Sequence, residues 1–359
     1  MRFVPLNCIR EGMVSAKQLF GKNGELMLNA GSVIRESYIE KIKDLGYNGI
    51  YIDDELSKDI IAKDLISDNI KSEAIKLLKR TFFQFENQKD ISEEEICNIE
   101  RLVNNILDEI ISNNEIMVNI IDIKVFDDYT FYHSLNVALL SLVIGLSLGL
   151  NRRELYELGL AAILHDIGKV FIAKEILNKP SKLTDEEFEI IAAHSYKGYE
   201  YLKLHTQLPA KCYIAILHHH EKYDGSGYPF HLKGEGISLF GRIISVADVY
   251  DALTSDRPYR KAVLPSEAIE YIMSGGGTIF DPKIAENFVK RVAPYPVGIC
   301  VVLSDNRSGL VLESHIGCSL RPKIKIIKHG TQWVKPYVID LKNDISLINV
   351  TIIGVEKDF

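Results

Sequence analysis

The sequence predicts a mainly α-helical protein with a small β-rich module at each end. Three observations lead there. Apolar residues recur at helical spacing through the middle of the chain, short β-type runs punctuated by turn residues occupy both ends, and eight of the ten histidines fall within residues 115–293. With 359 residues, 47% of them hydrophobic, the chain has material for two or three domains with real cores. We divide it into a β-rich module over 1–56, a helical connector over 57–114, a histidine-rich helical domain over 115–293 and a second β-rich module over 294–359.

The amino-terminal module shows short apolar runs broken by glycine. Asn23-Gly24, between FGK and ELML, is a hairpin signal, and the module ends near Tyr51-Ile52-Asp53. From Ser57 to about Asn114 the period becomes helical. Ser92 and Glu95 form a capping-box pair, followed by Ile96, Ile99, Leu102, Val103, Ile106, Leu107 and Ile110 on one stripe. That stripe needs a cover, either the next domain or a second copy of the chain in a homodimer seam through the connector. The longest apolar run, VALLSLVIGLSLGL, has 14 residues, short of the roughly 20 that a membrane span needs, so a buried core helix is expected there. After Pro294-Tyr295-Pro296 the runs GICVVLS, LVLES, KIKII, YVIDL and NVTIIG read as strands, with DNRSG as a turn.

A formal net charge of −7 argues against a broad electrostatic footprint for DNA or an anionic membrane. An anionic ligand must therefore be attracted locally, by a metal or a few placed cations. Five cysteines, with no CxxC pairing, point to a reducing compartment rather than a disulfide framework. MRFVPLNCIREGM lacks the features of a secretory signal, and we expect a cytoplasmic protein without a membrane span.

Within the helical segment, the side chains able to bind a hard or borderline cation are His133, His165, Asp166, His194, His219, His220 and Asp248. Mixed imidazole and carboxylate donors favour zinc, iron or manganese over a thiolate-loving metal or a calcium cage. Seven donors exceed what one ion needs and suit a pair sharing an aspartate. Taken alone, His133 on an apolar helix is a weak signal. His165 and Asp166 lie between apolar runs, where an unpaired carboxylate is costly to bury, with Lys169 one turn on; a salt-bridged structural node is the alternative. Successive helical residues point about 100° apart, so His219 and His220 are chosen as donors and His218 as their neighbour. Asp251 follows Asp248 on the same helical face, a repulsive pair unless a cation lies near. His205 and His231 stand in polar settings without a partner.

These residues together resemble a known family. HDIGK, LTDEE, His194 with Gly198, HHE with DGSGYP, VADVYDALTSDRPYR and FDP are similar to the HD-GYP domain, a group of metal-dependent phosphodiesterases in the HD superfamily. The resemblance covers about residues 120–293, and HHExxDGxGYP together with RPYR is its most specific part. It implies an HD-type helical bundle holding two divalent cations, iron or manganese being favoured. His133, His165, Asp166, His194, His219, His220 and Asp248 would be the ligands, with Asp166 as the bridge. A third ion, held in some members by an acidic residue one turn before the first histidine, stays open: Tyr129 occupies that place, with Asp127 and Asp128 out of phase.

The implied substrate is cyclic di-GMP, hydrolysed to pGpG and in some members to GMP by a hydroxide shared between the ions. Asp166 and Lys169 are the implied catalytic residues. Arg257 and Arg260 would grip the phosphates, and Asp251 would orient an arginine or a water. Gly225, Gly227, Tyr228 and Pro229 would form a tight loop beside the metals, with Tyr228 either stacking on a guanine or plugging the loop. Three rivals remain: a different HD-type nucleotide hydrolase, a non-catalytic cyclic dinucleotide receptor, and a hydrolase of cyclic GMP-AMP.

Overall fold

The structure is a computed structural model and describes residues 1–21, 24–113, 117–118, 129–177, 179, 181–255 and 262–356. The chain divides into two compact units. One includes Met1–Asp68 and Val289–Phe359, the other Asn69–Asn114 and Tyr129–Phe288.

In the first unit, β1 (Arg2–Pro5), β5 (Gly49–Asp53) and β2 (Val14–Ser15) pair in that order, all antiparallel. A short ribbon of β3 (Leu19–Phe20) and β4 (Leu26–Leu28) and the helix α1 (Glu36–Asp44) complete the amino-terminal part. Val4, Ile34, Ile42 and Ile52 form its core. Gly24 adopts a left-handed φ of 72°, as a turn residue should, whereas Asn23 lies outside the described residues.

The carboxy-terminal strands are β6 (Cys300–Leu303), β7 (Arg307–Glu313), β8 (Lys323–His329), β9 (Gln332–Asp340) and β10 (Ile352–Val355), in one antiparallel sheet of order β10-β6-β7-β8-β9. The turn between β6 and β7 spans 304–306, so of DNRSG only Asp305 and Asn306 turn while Arg307, Ser308 and Gly309 belong to β7, and Asn306 takes the left-handed conformation that asparagine tolerates. In β8, Ile324 and Ile326 point into the core while Lys323 and Lys325 alternate outwards. The two ends of the chain share this unit. Phe3 donates its backbone N–H to Gly298, Tyr51 its hydroxyl to the carbonyl of Val297, and Ile60 packs with Cys300, Leu310 and Ile327.

The second unit is helical, as expected. It contains α2 (Asp68–Gln88), α3 (Glu93–Ser112), α4 (Tyr129–Ser147), α5 (Arg152–Leu164), α6 (Lys174–Leu177), α7 (Asp185–Ala192), α8 (His194–His205), α9 (Ala210–His218), α10 (Leu239–Thr254), α11 (Pro265–Ser274) and α12 (Pro282–Arg291), whose last turn enters the first unit. Ser92 caps α3 reciprocally with Glu95. Ile99, Leu102, Val103, Ile106, Leu107 and Ile110 are buried within this single chain, where α3 packs on α4 and α5. The stripe is thus consumed by the chain's own core, which removes it as a dimer seam: its apolar area is already withdrawn from water. The apolar run from Val137 lies in α4 as far as Ser147 and is buried as far as Gly145, with α4 packed on α5 and α10. No helix among the described residues is long and apolar enough to cross a membrane.

Candidate metal centre

Five segments of the helical unit bring the seven donors together. His133 sits in α4, His165 and Asp166 directly follow α5, His194 opens α8, His219 and His220 directly follow α9, and Asp248 belongs to α10. The donors form two groups, Asp166 with His194, His219 and His220, and His133 with His165 and Asp248. Within each group no two donor atoms are more than 4.8 Å apart.

Three of the histidines are aimed by the same local device. Nδ1–H of His165 donates to the carbonyl of Ala162, that of His194 to Ile191 and that of His219 to Ile216, at 2.7, 2.7 and 2.6 Å. Each carbonyl lies in the last turn of a helix, where the i to i+4 ladder ends. A carbonyl only accepts, so Nδ1 must carry the proton and Nε2 is the nitrogen presented to the centre. His133 reaches the same result differently: its Nδ1 donates to Asp251 at 2.7 Å, and Asn136, one turn along α4, donates to the other Asp251 oxygen at 2.7 Å.

A close approach of backbones makes this convergence possible. Gly168 lies in the 3-10 turn after Asp166 and Gly198 in α8. A Cβ on Gly168 would collide with the carbonyl oxygen of His194 and come within 2.7 Å of the Gly198 nitrogen. The two glycines of HDIGK and of the His194 helix therefore let Asp166 and His194 meet.

The unsatisfied atoms are the test of whether metal ions fit. Nε2 of His165 and Oδ1 of Asp166 are buried without a hydrogen-bond partner among the described residues, and such orphaned polar atoms are costly. Nε2 of His194 and Nε2 of His219 face each other at 3.3 Å. With both Nδ1 positions holding the proton, two lone pairs oppose one another, which a cation between them relieves. Asp166 spans the groups, with Oδ1 at 3.4 Å from His194 Nε2, and Oδ2 at 3.6 Å from His133 Nε2 and 3.4 Å from His165 Nε2. Donor atoms on one ion at bond lengths near 2.1 Å stand about 3 Å apart, close to this spacing. The residues fit metal binding.

The electrostatics agree. Burial opposes ionisation of Asp166, but Lys169 and His165 outweigh it and hold the carboxyl well below the usual range. Lys169 Nζ pairs with Oδ2 at 2.5 Å. Burial also opposes ionisation of Asp248, which the hydrogen bond from His133 overcomes. Burial works against protonated His133, yet Asp248 and Asp251 push it up to about 9. Burial, with His194 adding, pulls His220 down to about 3, and burial holds His219 well below its ordinary value. Neutral imidazoles beside ionised carboxylates are the forms that bind cations, and metal binding would release the His133 proton.

Other expected residues are placed as follows. His218 accepts the backbone N–H of Ser238 at 3.1 Å, a neighbour that ties α9 to the start of α10. Asp251 was expected among the substrate-binding residues, orienting an arginine or a water; it is fully buried, with both oxygens taken by His133 and Asn136. Gly225 has φ of 86°, as its loop requires, but Gly227 does not need a positive φ; it is required because a Cβ there would strike the backbone of Lys222. Both glycines, with Pro229 after a cis peptide bond, thus shape the loop itself rather than reach outwards. Tyr228 packs its ring on His220 at 4.8 Å. Arg257 and Arg260, Asp127 and Asp128, and the side chain of Tyr129 lie outside the described residues.

Sequence reasoning missed two supports. Glu221 is buried and accepts backbone N–H groups of Phe230 and Leu232 at 2.7 and 3.1 Å, clamping the loop. Asn136 was visible as a polar residue one turn from His133 on an otherwise apolar helix. The LTDEE segment is a helix start: Thr184 and Glu187 cap α7 reciprocally.

Residues 100–284 match the family model described as HD domain. The chain is 42% identical over 225 residues to a cyclic di-GMP phosphodiesterase of Pseudomonas aeruginosa, covering 63% of this chain and 54% of that one. It is 42% identical over 147 residues to a cyclic di-GMP phosphodiesterase response regulator of Xanthomonas campestris, covering 40% and 38%. It is also 40% identical over 163 residues to a 3′3′-cGAMP-specific phosphodiesterase of Vibrio cholerae, covering 45% and 37%. The chain thus spans about half the length of the first relative and less of the other two.

Proposed function

The chain belongs to the HD domain family, and on that premise we propose that it is a metal-dependent phosphodiesterase that hydrolyses cyclic di-GMP to pGpG, with GMP as a further product. The observation that carries this reading is the convergence of seven donors around buried His165 Nε2 and Asp166 Oδ1, two atoms without a hydrogen-bond partner among the described residues. The activities named for the relatives from Pseudomonas and Xanthomonas support the choice of substrate.

His133, His165 and Asp248 would hold one cation, His194, His219 and His220 the other, and Asp166 would touch both through its separate oxygens. When bound, such a pair supplies Lewis acidity, polarising the phosphodiester and making hydroxide available near neutral pH. The protein's part is orientation. The carbonyls of Ala162, Ile191 and Ile216 and the carboxylate of Asp251 fix the imidazole rings, so the site is organised before substrate arrives. Lys169 keeps Asp166 ionised, and its side chain is 29% exposed, so it offers positive charge to a phosphoryl oxygen from the solvent side. Hydrolysis consumes one water and breaks the bond from phosphorus to the 3′ oxygen, which leaves with the proton as a hydroxyl. Arg257 and Arg260 belong to this proposal as phosphate-binding cations through the family motif. So do a dinuclear centre, supported by the count of seven donors, and a cytoplasmic location, supported by five scattered cysteines without CxxC spacing.

The test is metal analysis of the purified protein coupled to identification of products from cyclic di-GMP. Iron or manganese near two ions per chain with linear pGpG formed is the expected result. Protein that binds metal but leaves the cyclic dinucleotide intact would sink the catalytic reading. A second reading, favoured by the relative from Vibrio cholerae, is cleavage of cyclic GMP-AMP; both dinucleotides belong in the assay, and the ratio of their kcat/KM values decides.

A further inference from the structure

We propose that Phe188 is the stacking surface for a purine base of the substrate, backed by Tyr228. This rests on the reading of the chain as a cyclic dinucleotide phosphodiesterase. Phe188 lies in α7 and is 50% exposed. That helix buries none of its residues; it is held by the Thr184 and Glu187 capping pair and by the ion pair of Glu187 with Lys179 at 2.6 Å. The fold therefore does not require a phenyl ring at this place.

The ring is nevertheless tied to the metal centre. Phe188 meets Tyr228 at 5.8 Å between centroids and 87° between planes, and Tyr228 in turn lies on His220 at 4.8 Å and 31°. One face of Tyr228 is thus occupied by a metal-site imidazole, which leaves it poorly placed to sandwich a base itself. A perpendicular contact covers at most one face of Phe188, and its other surface is open to solvent. Phe85, by contrast, is fully buried against Phe171 and Tyr201. An exposed phenyl two ring contacts away from a phosphate-binding centre is where a base attached to that phosphate through one ribose would fall. Stacking accepts any purine, so Phe188 supplies affinity without choosing guanine over adenine.

The experiment compares wild type with Phe188→Ala, Phe188→Leu and Phe188→Trp, on cyclic di-GMP and on methyl 4-nitrophenyl phosphate, a diester without a base. Phe188→Ala should raise KM for cyclic di-GMP on the order of tenfold to a hundredfold, the usual worth of one stacked base, and leave turnover of the small diester unchanged. Phe188→Trp should restore the KM, and Phe188→Leu should not. An unchanged KM in Phe188→Ala, a leucine variant equal to wild type, or a parallel loss on both substrates overturns the subsite. Wild-type protein that cleaves the small diester but no purine cyclic dinucleotide instead overturns the parent function, and the subsite with it.

Discussion

In the β-rich unit, charges meet counter-charges directly. Arg2 pairs with Asp54 at 2.7 Å, Lys17 with Asp64 at 2.8 Å and Lys325 with Asp59 at 2.6 Å. In the helical unit, His133, His165, Asp166, His194, His219 and Asp248 are buried together beside Lys169, and Nε2 of His165 and Oδ1 of Asp166 have no hydrogen-bond partner among the described residues. In the first pattern each of these carboxylates has its own cation. The second carries a cost that something positive would relieve, because an unpartnered buried acceptor forfeits its hydration without return. An inventory of ion pairs would rank the two regions alike; whether each buried acceptor has a partner separates them.

Four variants sharpen or break that contrast, beginning with the largest effect. Asp166→Asn removes the oxygen pair shared by both donor groups. Cyclic dinucleotide hydrolysis should fall on the order of a thousandfold or more, and metal content should drop while the helical circular dichroism persists. Full metal loading in this variant would break the contrast outright. Gly168→Ala drives a methyl group into the His194 carbonyl; an overpacking cost of about 1–3 kcal/mol is expected, read as a lower denaturant midpoint. Asp251→Ala frees the His133 ring to turn, and metal titration should report an affinity loss of about 10- to 100-fold.

Lys325→Ala is the control from the β-rich unit. Loss of this partly exposed pair should cost about 0–1 kcal/mol and leave metal binding untouched. It also carries a pH signature. The hydrogen bond from Lys325 holds the Asp59 carboxyl below its ordinary 3.8, so the pair contributes stability above that pH and loses it as pH falls through the depressed folded value. The variant should show a correspondingly shallower acid limb; an identical limb would mean the pair is thermodynamically silent.

Much of the helical unit was legible because helices advertise themselves locally. Ser92 with Glu95, and the stripe from Ile99 to Ile110, lie within a few turns of one another, and their capping and burial follow from spacing alone. The strands of the carboxy-terminal sheet were equally visible in alternation and turn residues such as Asn306. The partners of those elements were not legible. Nothing in Phe3 or Ile60 announces Gly298 or Cys300, because that pairing joins residues hundreds of positions apart. Asp251 illustrates the same limit within the site: its phase with Asp248 placed it on the right helical face, but its hydrogen bonds to His133 and Asn136 come from α4, far away in the chain.

Residue chemistry and short-range spacing settled which imidazoles and carboxylates are available and on which elements they ride, since donor type is intrinsic to a side chain and helical phase is local. Packing settled how they are placed: which ring nitrogen faces inward, which oxygen of Asp166 lies near which group, that Gly168 must meet Gly198, and that Phe188 stands half exposed beside Tyr228. Those outcomes depend on distances between separate helices, which no stretch of contiguous residues encodes.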